Sequence, residues 1–203
     1  MPTDGPPAPI SSRRIGVLGG TFDPPHVGHL VTAVNVRHAL ALDVVLLVVA
    51  NDPWQKTTHQ RVTPAQDRLA LVQAAIADVA GLEASDLEVR RGGTTYTADT
   101  LAELSAAEPG AHLFLILGSD AAAGLPTWER ADEVRQRAHV VVVTRPGAEE
   151  GTPPAGWSWT PVTTPRLDVS STDLRARAVD GRPLDFLVPP AVLTCIKQRR
   201  LYV

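Results

Sequence analysis

"RIGVLGGTFDPPHVGHLVTAVNVRHAL", Arg14 to Leu40, is the stretch on which the reading of this chain turns. Its opening, RIGVLGG, is a short apolar run of the kind a buried strand shows. Its end, HVGHLVTAVNVRHAL, carries apolar residues at helical spacing. Two glycines close the first and a histidine opens the second, and between them stand a threonine, a Phe-Asp pair and two prolines. A strand that feeds a helix through such a turn is the first half of a βαβ unit, and the rest of the chain repeats the alternation.

Downstream, LDVVLLVVA (42–50) is a second buried, β-branched strand. TPAQDRLALVQAAIADVAG (63–81) reads as a helix: Thr63 is placed to cap it, Pro64 suits its first turn, Gln66 completes a capping box and Gly81 stops it. DLEVR (86–90) is expected as a strand and TADTLAELSAA (97–107) as a helix. HLFLILG (112–118) is expected as a strand, TWERADEVRQRA (127–138) as a helix, and HVVVVTRPG (139–147) as a strand ended by Pro-Gly. Beyond 147 the pattern loosens. EEGTPPAGWSW reads as a loop, and TPVTTPRLDV holds an edge strand bracketed by prolines. Two short helices follow, near 171–179 and 189–199. The fold class is therefore α/β, a Rossmann-like doubly wound parallel sheet with a small helical C-terminal appendage over about 168–203. Residues 1–12, rich in Pro, Gly and Ser, are expected to be a flexible tail, and 13–203 one domain.

The 203 residues can bury a sizeable core, and 44% of them are hydrophobic. The net charge of −3 provides no global attraction to nucleic acid or an anionic membrane. No apolar run is long enough to span a bilayer, and the first residues lack the apolar centre of a signal peptide, so a cytoplasmic location is expected. The single Cys195 has no partner for an intramolecular disulfide and is expected to pack on the last helix. A homo-oligomer is left open.

In an open parallel sheet, ligands bind beyond the carboxyl ends of the strands, where the opening turn lies. Gly19 and Gly20 leave room for close approach to the backbone, and Pro24 and Pro25 stiffen the path into the helix. His26 and His29, three apart, share a face of the first helical turn, whose N–H groups and dipole favour an anion. Backbone donors with two imidazoles make a site for a polyphosphate. Zinc is the weaker reading, because no third ligand stands nearby.

Taken whole, GGTFDPPHVGH resembles the signature of the nucleotidyltransferase superfamily, whose HxGH box is shared with class I aminoacyl-tRNA synthetases. In its GGTFDPPHxGH form it resembles the nicotinate-nucleotide adenylyltransferase family. VSSTDLR (169–175) is similar to that family's second box, usually ISSTxxR; Ser170 or Ser171 can cap a helix there, and Thr172 and Arg175 would face phosphate oxygens. GSD (118–120) resembles LGxD, which implies nucleotide contacts for Gly118 and Asp120. Asp120 suits either ribose hydroxyls or a hydrated Mg²⁺. GLPTWERADEV resembles LPxWxxxxEL, which implies Trp128 stacked on a pyridine ring; TTYTADTL resembles SYTxDTL, which implies Tyr96 and Thr97 at the nicotinate carboxylate, with Thr97 capping a helix. Thr21 and Phe22 of the first box would join the nucleotide sites. In NDPWQKTTH, Lys56 offers a long cationic arm to a phosphate, Trp54 and His59 being less regular matches. Arg145, followed by Pro146, would border the adenine. One departure concerns FLVPPAVLTCI, where Phe186 and Cys195 replace aromatic hydroxyls. Both are expected to pack the last helix.

The resemblance implies transfer of the adenylyl group of ATP to nicotinate mononucleotide, giving deamido-NAD and pyrophosphate, with Mg²⁺ accompanying ATP and no protein side chain assigned as a metal ligand. His26, His29, Lys56 and Arg175 would carry the phosphate chemistry. Two rivals are an adenylyltransferase of the phosphopantetheine type and a nucleotide-binding regulatory protein without turnover. The first is set apart by FDPPHxGH and by the Tyr-Thr and Trp segments, the second by the intact His26, His29 and Arg175.

Overall fold

The computed structural model describes residues 12–53, 62–144 and 151–203. Six strands form one sheet: β1 (Arg14–Gly20), β2 (Val44–Val49), β3 (Leu82–Ser85), β4 (His112–Gly118), β5 (Ala138–Thr144) and β6 (Trp159–Thr163). All are parallel and lie in the order β3-β2-β1-β4-β5-β6. The helices among the described residues are α1 (Val27–Ala39), α2 (Ala65–Ile76), α3 (Leu87–Arg91), α4 (Thr97–Ala107), α5 (Ser119–Ala123), α6 (Ala131–Arg137), α7 (Ser171–Asp180) and α8 (Pro190–Arg199).

Period-two alternation explains why both faces are covered. Ile15, Val17, Val44, Val48, Leu113 and Leu115 point to a layer shared with Ala98, Leu101 and Leu104 of α4 and Val134 of α6. Their neighbours Val45, Leu47, Val49, Phe114, Ile116, Val141 and Val143 point to the opposite layer, built with α1, α2, α7 and α8. Gly16 sits on that second face because a Cβ there would lie 2.9 Å from Leu42 and Val45 side-chain carbons. The last two helices bring Leu174, Val192 and Ile196 into this same core. Cys195, half-buried on α8, packs against it as expected.

Strand order reverses between β1 and β4, and there the ladder parts. β1 pairs with β2 as far as Gly20, but with β4 only as far as Val17 opposite Leu115. The carboxyl ends of β1 and β4 therefore diverge into a crevice at the topological switch point.

Four local expectations are corrected. Residues 87–91 form helix α3, not a strand; the third strand is Leu82–Ser85, which already fills the sheet edge beside β2. Thr63 does not cap α2, whose N-cap is Pro64. Its N–H instead donates to Asp23 and its carbonyl accepts from Arg68. The helix ends at Ile76, and Gly81 (φ +78°) serves the turn into β3, where any Cβ would meet the Arg37 guanidinium. The helix expected from Thr127 starts only at Ala131, after a 3₁₀ turn at Leu125–Thr127 and Arg130 in the left-handed region (φ +54°). The edge strand and the two late helices fall where the sequence puts them. Most of the N-terminal tail, residues 1–11, lies outside the described residues.

Candidate active site

The crevice is a cavity of about 380 Å³. Gly19, Gly20 and Thr21 line it from β1, Val48 and Ala50 from β2, and Leu115 and Leu117 from β4. Thr95, Tyr96 and Thr97 at the start of α4, with Glu88, Thr100 and Trp128, close the far wall. Gly19 opens onto it, since nothing stands within 4 Å of where a Cβ would be. Gly20 has a different reason: a Cβ there would meet the Phe22 ring at 2.8 Å.

Phe22 is itself buried, in left-handed backbone (φ +51°), and its ring meets His29 edge-on at 5.0 Å. The side chain expected among the nucleotide contacts is therefore a core residue that props an imidazole. His26 is the N-cap residue of α1 and His29 lies one turn in. Their rings stack, with centroids 3.7 Å apart. The His26 N–H donates to His29 Nδ1 at 3.2 Å, which leaves the proton of the neutral His29 ring on Nε2. Gly28 lets this pair form, because a Cβ would stand 3.0 Å from His26 Nδ1 and 3.2 Å from Val169.

The second box is joined to the first. Ser170 caps α7 by accepting from the Asp173 N–H at 3.2 Å. Ser171 Oγ donates to the Pro24 carbonyl at 2.9 Å, and Arg175 donates to the Asp23 carbonyl at 2.7 Å and to Thr172 Oγ1 at 3.4 Å. Residues expected to meet phosphate directly thus also tie α7 to the turn before α1.

Two residues that the sequence reading passed over complete this frame. Arg68, fully buried, donates to the carbonyls of Thr63 (2.7 Å), Thr21 (2.8 Å) and Asn51 (3.0 Å). Burial pulls its pKa below the ordinary arginine value, against the pull of Asp23. Asp23, buried in the first box, accepts from Tyr202 at 2.7 Å and from the Thr63 N–H at 3.1 Å. Asp23 carried a signal, since it lies inside the motif. Arg68 and Tyr202 carried none, because only the tertiary fold brings positions 21, 51, 63 and 202 together.

On the far wall, Tyr96 is the N-cap residue of α4 and Thr97 its first residue, so Thr97 does not cap. Trp128 is half-buried, lines the cleft and packs on both layers of that face. Glu88 is a further overlooked residue. It accepts from Thr100 Oγ1, which in turn accepts from Arg91 at 3.1 Å. Burial pushes its acid above the usual carboxylate range, with the Thr100 hydroxyl and Arg91 opposing. Gly118 and Asp120 were expected to face the cleft. Both are exposed, and Leu117 and Ala121 form the wall there. Gly118 is the N-cap residue of α5 and Asp120 lies in that helix's first turn. Phe186 does not pack the last helix: it is 94% exposed. Trp54, Lys56, His59, Arg145 and Pro146 lie outside the described residues. Among the described residues no three His, Cys, Asp or Glu side chains are grouped to hold a metal ion, and no helix is long and apolar enough to cross a membrane.

The cytidylyltransferase-like family matches residues 17–177, the span that holds both boxes and both walls of the cleft. A protein of Saccharopolyspora erythraea named "Probable nicotinate-nucleotide adenylyltransferase" is 44% identical over 193 residues, covering 94% of this chain and 90% of its own. A protein of the same name from Streptomyces coelicolor is 44% identical over 188 residues, covering 91% and 98%. This chain belongs to the nicotinate-nucleotide adenylyltransferase family. Solved structures agree on the fold. The nicotinic acid mononucleotide adenylyltransferase of Plasmodium falciparum complexed with NaAD superposes with a TM-score of 0.76 at 17% identity, covering 94% of this chain and 97% of its own. A Vibrio parahaemolyticus structure titled as a nicotinate-nucleotide adenylyltransferase gives 0.67 at 21%, covering 94% and 95%.

Proposed function

We propose that the protein transfers the adenylyl group of ATP to nicotinate mononucleotide, releasing pyrophosphate and forming deamido-NAD. The observation that supports this reading is that Gly19, Gly20 and Thr21, which open the turn leading to His26 and His29, face the Tyr96–Thr97–Trp128 wall across one crevice. One side is built for phosphates, the other for a flat ring bearing an anionic group.

A mononucleotide phosphate oxygen is already anionic at neutral pH and needs no strong base. It attacks the α-phosphorus of ATP. The bond from that phosphorus to the oxygen bridging to the β-phosphate breaks, and its electron pair leaves with pyrophosphate. The protein's share is positioning and charge neutralisation. His29 presents an Nε2–H donor, held in that tautomer by the His26 N–H. His26, Arg175 and Lys56 hold phosphates as charge grows on the leaving group. The hydroxyls and N–H groups of Ser170, Ser171 and Thr172 at the start of α7 supply further donors. Gly118, Asp120 and Arg145 approach the nucleoside of ATP. Thr21, Tyr96, Thr97 and Trp128 hold the mononucleotide, with backbone donors toward the carboxylate and the indole against the ring. Mg²⁺, bound with ATP, would neutralise phosphate charge. It would be held mostly by phosphate oxygens and water, with no protein side chain assigned as a ligand. On this reading the enzyme works in the cytoplasm on two small molecules, without a nucleic-acid or membrane partner.

The test is pyrophosphate release from ATP with a panel of acceptors: nicotinate mononucleotide, nicotinamide mononucleotide and phosphopantetheine. Turnover on nicotinate mononucleotide is expected to lead. Preference for phosphopantetheine, or no turnover with any acceptor, would overturn the proposal.

A further inference from the structure

We propose that Tyr202 is a positioning residue for adenylyl transfer, acting through Asp23 on the turn that presents His26 and His29. The assignment rests on the functional reading above for its kinetic consequence, but its structural part does not.

All three acceptor oxygens of Asp23 are engaged, each by a different segment. Tyr202 donates to one carboxylate oxygen at 2.7 Å, the Thr63 N–H to the other at 3.1 Å, and Arg175 to the backbone carbonyl at 2.7 Å. Asp23 is 3% exposed, so a lost donor is not replaced by bulk water. Three residues on stands His26, whose N–H fixes the His29 ring. A shift of the Asp23 carboxylate is thus transmitted within one short turn to both imidazoles, and displacement of such groups by a fraction of an ångström costs rate steeply.

Tyr202 itself is held in left-handed backbone (φ +62°), a conformation that a bulky residue adopts only when its surroundings impose it. Its ring packs against the α1–α2 core layer. The hydroxyl adds nothing to that packing, and its hydrogen-bond partner is the buried Asp23 carboxylate. Burial and the Asp23 carboxylate hold the hydroxyl protonated, above the ordinary tyrosine range, so the donor persists throughout the working pH range.

Tyr202→Phe removes the donor and keeps the ring. Arg199→Ala is the control: it breaks the neighbouring Arg199–Asp67 ion pair (2.6 Å), which ties α8 to α2, and leaves Tyr202–Asp23 intact. Two readouts are taken on each protein: imidazole resonances by NMR without substrate, and kcat and KM for both substrates. In Tyr202→Phe the His26 and His29 resonances are expected to move while those of His38 and His112 stay. Its kcat is expected to fall roughly tenfold, with KM for the mononucleotide within about twofold, because Tyr96, Thr97 and Trp128 stand on segments other than the Asp23 turn. Arg199→Ala is expected to change neither readout even where its Tm falls as far. Unmoved His26 and His29 resonances, or moved resonances with unchanged kcat, would overturn the proposal, as would equal effects in the control. If Tyr202→Phe does not fold, Tyr202→Trp, which restores a buried ring with an N–H donor, is expected to recover the wild-type resonances; a folded variant with displaced ones would count against the assignment. Displaced resonances in Tyr202→Phe, with a wild type that fails to use nicotinate mononucleotide, would overturn the substrate reading and leave the positioning of the turn standing.

Discussion

At the residue scale, His29 offers the sharpest separation of chemistry from folding. Its Nδ1 accepts from the His26 N–H and its ring lies against Phe22, so His29→Ala loses a hydrogen bond worth about 1 kcal/mol. The Nε2 donor is worth more, because a preorganised donor at developing negative charge contributes on the order of a hundredfold or more in rate. The variant should therefore melt within a few degrees of the wild type and turn over at least about a hundred times more slowly. A normally folded variant retaining most of its kcat would remove His29 from the reaction. Glu88 makes a different prediction. Burial raises its acid, so between its ordinary and its folded value the folded chain binds the proton and the unfolded chain does not. The stability this group contributes is full below the unfolded value and lost as pH rises through the folded one. Glu88→Gln keeps an acceptor for Thr100 and removes the titration. The variant's Tm should gain on the wild type as pH rises from 4 to 8, as followed by thermal melts. A gap that closes with rising pH would mean that Arg91, not burial, governs the group.

At the scale of elements, the site is a joint between segments far apart in sequence. Arg68 on α2 fastens the turn after β1, the end of β2 and the entry to its own helix through three carbonyls. A guanidinium serves three divergent acceptors because its donors are spread in a rigid plane; an ammonium cannot reproduce that fork. Arg68→Lys keeps the charge but loses at least one of these bonds in a buried setting, at a cost of about 2–4 kcal/mol. Both Tm and kcat should fall, and kcat should fall even at temperatures where the variant is fully folded, because Thr21 lines the cleft. A stable variant with unaltered kcat would show that Arg68 supports the fold alone. α7 works on the same joint from the other side, through Ser171 and Arg175.

At the scale of the molecule, the switch point between β1 and β4 sets two unlike walls across one cleft. The ionisable side chains lining its described part are Glu88, Tyr96 and Glu129, with no lysine or arginine among them. An anionic ring substituent is then met by N–H groups at the start of α4 and by that helix's dipole. A carboxamide turns its own NH₂ toward those donors and leaves groups unpaired. The kcat/KM for nicotinate mononucleotide should exceed that for the nicotinamide form by roughly 10- to 100-fold, at one fixed ATP and Mg²⁺ concentration. Equal values, or a preference for the amide, would refute an acid-selective wall.

The architecture was legible in local pattern alone. Apolar runs of strand length, separated by helical periodicity, have one economical solution, a parallel sheet covered on both faces, and the position of GGTFDPPHVGH after the first strand placed the site at a carboxyl edge. Local pattern also determined both boxes, since capping and anion binding are local properties of a helix start, as Ser170 shows. The tertiary structure decided the rest. DLEVR alternates over too few residues to tell helix from strand, and the sheet edge had been filled by Leu82–Ser85. Asp120 lies in the right motif, yet it is Leu117 and Ala121 on either side that line the cavity. Arg68 reads locally as one more charge on an amphipathic helix, and Tyr202 as a residue in a trailing turn. Their partners lie 47 and 179 positions away, and no local pattern records a contact that only the closed fold creates.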